Sequence, residues 1–256
     1  ETRGGGGSVV PYADPQRLVN IGVEHLAARS EYDAAVTAKL ADGTVYAADE
    51  KHASRLVSMV NAKHVWIRNC STQFFVNGVT GVGSGAKWVT VQDCRAVDPV
   101  SLITGGRRYP FSIAGQLVLM QRCESDGARH AFSFSSRLAG PNVFLRCRSS
   151  RDYGSSEPHH RWSVGGLFDG VDARIAIQDR QWMGTGHGWS GANYVVWNCT
   201  GALVCQEPPT AQNLAIGFVG ERAKAAFDRP DGLWESHGRQ VTPESLYEAQ
   251  LADRLR

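Results

Sequence analysis

Residues able to do chemistry recur along this chain in short clusters: Arg107-Arg108-Tyr109, Arg129-His130, His159-His160-Arg161-Trp162, His187-Gly188-Trp189 and Gln212-Asn213, with Asn193 between the last two. Steps of roughly 22 to 30 residues separate them. Guanidinium forks bind carboxylates, sulfates or phosphates. Imidazole titrates near neutral pH and is the commonest general base, and flat aromatic faces pack on sugar rings. A set so rich in Arg, His and rings, and so poor in carboxylates, suits a long acidic polymer. Neutralising a uronate carboxylate acidifies its C5 proton, which a base then removes in β-elimination. In this reading His160 is the base, with His159 beside it, Arg161 neutralises the carboxylate, and His187 or Tyr153 is the acid. Trp162 and Trp189 are sugar platforms, and Arg107, Arg108, Arg129, His130, Asn193, Gln212 and Asn213 hold substrate.

Other chemistries fit less well. Glycoside hydrolysis needs two carboxylates facing one bond, and Asp152, Glu157 and Asp169 are close in sequence only. They leave a loop-built pair as the route to a hydrolase. The twin His159-His160 has no Asp or Glu at a familiar ligand spacing, so no metal and no cofactor are expected. The glycine-dense run from Gly184 to Asn193 lacks the strand-to-helix setting of a phosphate loop; its glycines allow a tight turn that presents His187 and Trp189. Ser190 has Gly188 two residues before it but Ala192 two after, where a nucleophile elbow needs a second glycine. Asn213 also reads as a turn cap or a member of an internal Asn stack.

Something must bring clusters about 25 residues apart onto one face, and the cysteines show what. Short alternating apolar runs end at Cys70, Cys94, Cys123, Cys147 and Cys199, separated by 24, 29, 24 and 52 residues. Alternation over five or six positions signals strands, and self-similarity at such a period signals a solenoid. The 52-residue step is two periods, with Ile175–Asp179 as the skipped member and Leu18–Val23 as a degenerate early one. The expected fold is all-β: a single-stranded right-handed parallel β-helix over residues 11–220, with the cysteines inward as a ladder of small buried hydrophobes and Cys205 outside it. Residues 1–10, with Gly4–Ser8, read as a linker or cut point, preceded by further coils or domains of a longer protein. Residues 221–256 read as an irregular connection and a C-terminal capping helix. Thr242 is its N-cap and Pro243 its first residue, and the helix covers the open end of the solenoid.

Bulk properties narrow the partners. The 256 residues carry a formal charge of +2, too small to argue for nucleic acid or an anionic membrane. Its 22 Arg against 5 Lys is a bias in kind rather than in net charge. An apolar fraction of 42% and a mean hydropathy of −0.28 describe an ordinary globular chain without an 18-residue apolar span.

From about Val89 onward the sequence resembles the pectin-lyase-like right-handed parallel β-helix superfamily of bacterial secreted proteins. The segments that carry the resemblance are Val89–Cys94, Gly115–Leu117, Gly140–Leu145, Pro158–Trp162, Gly186–Asn193, Pro209–Asn213 and Ser245–Leu251. The resemblance implies a secreted, periplasmic or cell-surface protein that handles a polysaccharide. A lyase is favoured; a hydrolase, a transferase or a non-catalytic glycan-binding module are the alternatives. The aspartate clusters of calcium-dependent pectate lyases have no counterpart here.

Overall fold

The computed structural model describes residues 11, 13 and 16–256, so the Gly4–Ser8 stretch lies outside the described residues. The chain is all-β, with its strands mainly in parallel sheets and two helices. A nine-stranded sheet runs in chain order from Leu18–Glu24 through Ala62–Arg68, Lys87–Gln92, Gln116–Gln121, Asn142–Leu145, Gly166–Asp169, Val195–Trp197 and Leu214–Ile216 to Leu233–Glu235. A second, eight-stranded sheet takes the strand that follows each of the first eight, from Ala27–Arg29 to Val219–Arg222. A third sheet stacks Arg55–Met59, Gly78–Val82, Phe111–Ile113, Phe132–Phe134 and Glu157–Pro158. Each neighbour is therefore the corresponding strand of the next pass of the chain.

Register makes like stack on like. In the first sheet Ile67, Val91, Met120, Phe144, Phe168, Val196, Ala215 and Trp234 lie on one line. The first seven of these are fully buried. Phe144 packs against Phe132, Phe134 and Phe168, with ring centroids 4.8–5.8 Å apart. A single left-handed residue turns the chain from the first sheet to the second: Asn69, Asp93, Arg122, Arg146, Gly170, Asn198 and Gly217 all have φ between 48° and 69°. The residue after each corner points inward, and at five of them it is cysteine. Cys70, Cys94, Cys123, Cys147 and Cys199 are buried free thiols, each within 3.3–3.8 Å of a carbonyl on the preceding pass. The cysteine ladder is thus present, with buried Cys205 away from its corners.

Four details differ from the sequence reading. The skipped member is Gly166–Asp169, not Ile175–Asp179; Asp172–Ile177 belongs to the second sheet, and Val171 stands at the corner position that cysteine marks elsewhere. Parallel pairing continues past residue 220, because Leu233–Glu235 adds to Leu214–Ile216 within a stretch whose Pro and Gly suggested irregular chain. The C-terminal helix is Leu246–Arg254, capped by Ser245 rather than Thr242, since the Ser245 side chain accepts from the Glu248 amide. It lies on the flank of the first sheet, not over its end. Asp169 accepts from Ser245 Oγ and the Tyr247 amide, both at 2.8 Å, while Arg146 grips Glu248. An antiparallel hairpin, Thr37–Lys39 with Val45–Ala47, also interrupts the early passes.

The aromatic stack makes this core sensitive to truncation. Phe144→Ala is expected to lower the unfolding free energy by about 3–5 kcal/mol, measured by chemical denaturation; a loss below about 1 kcal/mol would show that the rings do not bear on one another as described.

Candidate functional site

The third sheet positions the site. Tyr109 precedes Phe111–Ile113, Arg129 and His130 precede Phe132–Phe134, and Glu157 opens the next strand with His159 and His160 directly after it. The register Phe111 to Phe132 and Ser133 to Glu157 stacks these strand ends. Tyr109 and His130 consequently meet with ring centroids 4.8 Å apart, although 21 residues separate them in sequence.

Glu157 is the hub. Its buried carboxylate Oε1 accepts from His159 Nδ1 at 2.6 Å and from Arg180 Nη1 at 2.7 Å, with His130 Nδ1 at 3.2 Å. Arg180 is buried too, and its Nη1 also donates to the His159 carbonyl at 2.9 Å. Burial raises the Glu157 pKa, and the neighbouring His130 and Arg180 oppose that rise. His130 donates its Nδ1 proton to the Ser155 carbonyl at 2.6 Å, which leaves Nε2 buried without a protein partner. The Tyr109 hydroxyl sits 3.3 and 3.4 Å from the two ring nitrogens of His159 and accepts from Arg129 Nη1 at 3.0 Å. Burial pushes this phenol up to about 12.

Two further imidazoles complete the cluster. His159, His160 and His187 form a triangle with centroids 4.8–4.9 Å apart. His187 arrives on the glycine-dense turn, where its amide donates to the Met183 carbonyl. Gly184 has φ +58° there, and a Cβ on it would lie 2.2 Å from the His187 ring, so only glycine lets the turn close over the imidazole. Burial, followed by nearby Arg and His side chains, lowers the pKa of His130, His160 and His187 to about 4 and of His159 to about 3. Four neutral imidazoles therefore share one face at neutral pH with the guanidinium groups of Arg129, Arg161 and Arg180. Buried Nδ1 atoms of His160 and His187 lack protein partners among the described residues.

The remaining predicted residues scatter. Arg161 is exposed and bonds Thr185, and Trp162 beside it is exposed as well. Trp189 is half-buried in the same turn as His187. Arg107 is turned away into a bidentate pair with Glu50 on the hairpin side. Arg108 is buried between the rings of Tyr46 and Tyr153, so Tyr153 lies against Arg108 while the hydroxyl at the histidines is that of Tyr109. Asn213 is fully buried and its amide bonds only main chain, at the Tyr194 amide and the Gly191 and Gln206 carbonyls, so it serves the core and is out of a polymer's reach. Gln212 bonds the Asn213 carbonyl, and Asn193 is exposed beside the C-terminal helix groove. Asp152, Glu157 and Asp169 part company as well: the first lies against Ser149 and the Ala128 main chain, the second anchors the histidines, and the third anchors the terminal helix.

Arg180 carries weight that sequence reasoning missed, and Tyr109 and Glu157, seen there as a cluster member and a possible hydrolase carboxylate, take roles it did not assign. The signals were weak: Tyr109 adjoins two arginines, and Glu157 is two residues before His159. His130, Glu157 and His159 each place a ligand atom within 4.8 Å of the others, a spacing compatible with a metal ion. The donor set favours a guanidinium instead. His130 Nδ1 is committed to Ser155, Arg180 already neutralises Glu157, and Arg129 adds a second positive charge nearby. No protein-family model, curated protein or solved structure matches the chain. Among the described residues no helix is long and apolar enough to cross a membrane.

Asp152 offers a pH test of burial near this face. Its carboxylate has a buried Oδ1 without a protein partner, and desolvation pushes its pKa up to about 7, with Asp126, itself paired to Arg151, adding repulsion. A folded pKa above the unfolded value penalises the native state once the unfolded chain ionises. Stability should therefore fall as pH rises from about 4 to about 7, by about 1.4 kcal/mol per pH unit at most, and then level off. Asp152→Asn should match wild type in thermal melts near pH 4 and exceed it at pH 8. Equal melting temperatures at pH 8 would refute the burial argument.

Proposed function

We propose that this protein is a secreted or cell-surface polysaccharide lyase that cleaves a uronate-containing glycan by β-elimination, built on a right-handed parallel β-helix of the pectin-lyase-like kind. Three sheets whose neighbouring strands are one pass apart support the fold part of this reading. The observation that carries the chemistry is the charge balance of the cluster: three guanidinium groups and four neutral imidazoles around a single carboxylate that is already engaged. Such a face attracts an anion, supplies uncharged bases and lacks the opposed carboxylates that hydrolysis needs.

In the proposed reaction Arg161 and Arg129 hold the uronate carboxylate. His160, a half-buried imidazole that is uncharged at neutral pH, takes the C5 proton. The electron pair forms the C4–C5 double bond as the C4–O bond breaks, and the Tyr109 hydroxyl, held by Arg129, protonates the departing oxygen. Glu157 and Arg180 position His159 under that hydroxyl.

The test is incubation with a panel of acidic polymers while following the ultraviolet absorbance of the unsaturated uronate. Absorbance should rise with one of them, and His160→Ala and Tyr109→Phe should each slow it by about 10²-fold or more. Chain cleavage without an absorbance gain would transfer the assignment to a hydrolase or transferase. Binding with no turnover would make the protein a glycan-binding module.

A further inference from the structure

A second feature adjoins the histidine cluster. Arg108 is 5% exposed, and its guanidinium donates to the Ser101 carbonyl, from Nε at 3.2 Å and Nη2 at 2.8 Å, with the Tyr153 side chain as its other polar neighbour. The rings of Tyr46 and Tyr153 lie 5.6 and 5.4 Å from its guanidinium carbon. No carboxylate is among its partners in the described residues. A buried cation without a counter-charge is costly, and desolvation duly lowers the Arg108 pKa. Two other buried charges nearby are matched, unlike Arg108: Arg180 has Glu157, and Asp179 has Arg229.

Arg108 lines a groove of about 320 Å³ whose walls include Tyr32, Tyr46, Phe74 and Tyr153, together with the Asp98–Arg151 ion pair. That volume is at the lower end of the range for small-ligand sites, about 300–1,000 Å³. Tyr153 is 48% exposed, so part of its ring is open to solvent. The groove is linked to the cluster through main-chain hydrogen bonds. Arg108 precedes Tyr109, and its carbonyl accepts from the amides of both Arg129 and His130. The early hairpin brings Tyr46 into place, and Glu50 on the same excursion pins the 100–108 loop through Arg107.

We propose that this groove is a second sugar-binding position, taking a uronate unit of the same polymer, with Arg108 supplying the carboxylate's counter-charge and Tyr46 and Tyr153 flanking the ring. The groove rests on the acidic-glycan reading in its choice of ligand, and not on any bond being cleaved. Aromatic faces supply the apolar contact that a pyranose ring needs, and a guanidinium fork supplies specificity for the carboxylate. A substrate spanning both positions would be held by Arg108 while its neighbouring unit meets Tyr109 and His160.

Calorimetric titration with short oligouronates from each polymer of the panel, and with their carboxyl-reduced counterparts, tests the groove. Wild type should bind at least one acidic oligomer and bind its reduced form at least tenfold more weakly. Arg108→Met and, independently, Tyr153→Ala should each weaken acidic binding about tenfold. Tyr153 is half exposed, so its variant keeps the test valid if the Arg108 variant fails to fold. Loss of binding in these variants with no cleavage by wild type would support the groove and sink the lyase. Cleavage with unchanged binding and KM in both variants would sink the groove and leave the lyase. Silence of wild type toward every oligomer would overturn both.

Discussion

Parallel hydrogen bonding between strands one pass apart is the constraint on which the rest depends. It locks each residue over its counterpart in the next pass, so the chain has no freedom to place a side chain except by choosing where in the pass it occurs. The inner line from Ile67 to Trp234 exists because those positions share a register. The corner residues exist because a one-residue turn between two sheets demands φ near +50°. Asn, Asp and Gly accept that conformation readily, and Arg122 and Arg146 adopt it with their side chains tied to Asp93 and Glu248.

The site is a consequence of the same register, relaxed at one place. Between the second and third sheets the loops differ in length from pass to pass, so residues there are not stacked like on like. Tyr109, His130 and Glu157 come into contact from three successive passes, and longer loops fold His160, Arg180 and His187 over them. Burying this many polar groups raises their demand for partners. Glu157 meets most of it by accepting from His159 and Arg180 while lying against His130, and three imidazole nitrogens are left buried without a protein partner among the described residues. Low dielectric keeps the imidazoles uncharged, which preserves them as proton acceptors.

Electrostatically the two halves of the face are alike. Arg180 and Glu157 satisfy each other, but Arg108, Arg129 and Arg161 meet carbonyls, hydroxyls or rings rather than carboxylates. An excess of guanidinium over carboxylate persists along the face although the whole chain is nearly neutral. Net charge therefore says little about this surface; the distribution that folding imposes says much more.

Much of the architecture was legible in the sequence. Cysteines after an αL corner, spaced at one or two periods, revealed the repeat because the buried inner corner accepts a small apolar side chain and little else. Where Val171 replaced cysteine the marker vanished, and the reading slipped onto the neighbouring sheet. His159, His160, His187, Arg129 and His130 were visible as unusual residues at the right period. Arg180 was not, and the roles of Tyr109 and Glu157 were not either, since they lie in burial and contact across variable loops, which no periodicity encodes. The fate of Arg107, Arg108 and Asn213 likewise depended on neighbours distant in sequence: Glu50, Tyr46 and Tyr194. Local pattern determined that strands would stack and which residue types would recur. The tertiary structure alone decided which recurring residues meet, because contact between passes depends on loop lengths and on how buried charges find their partners.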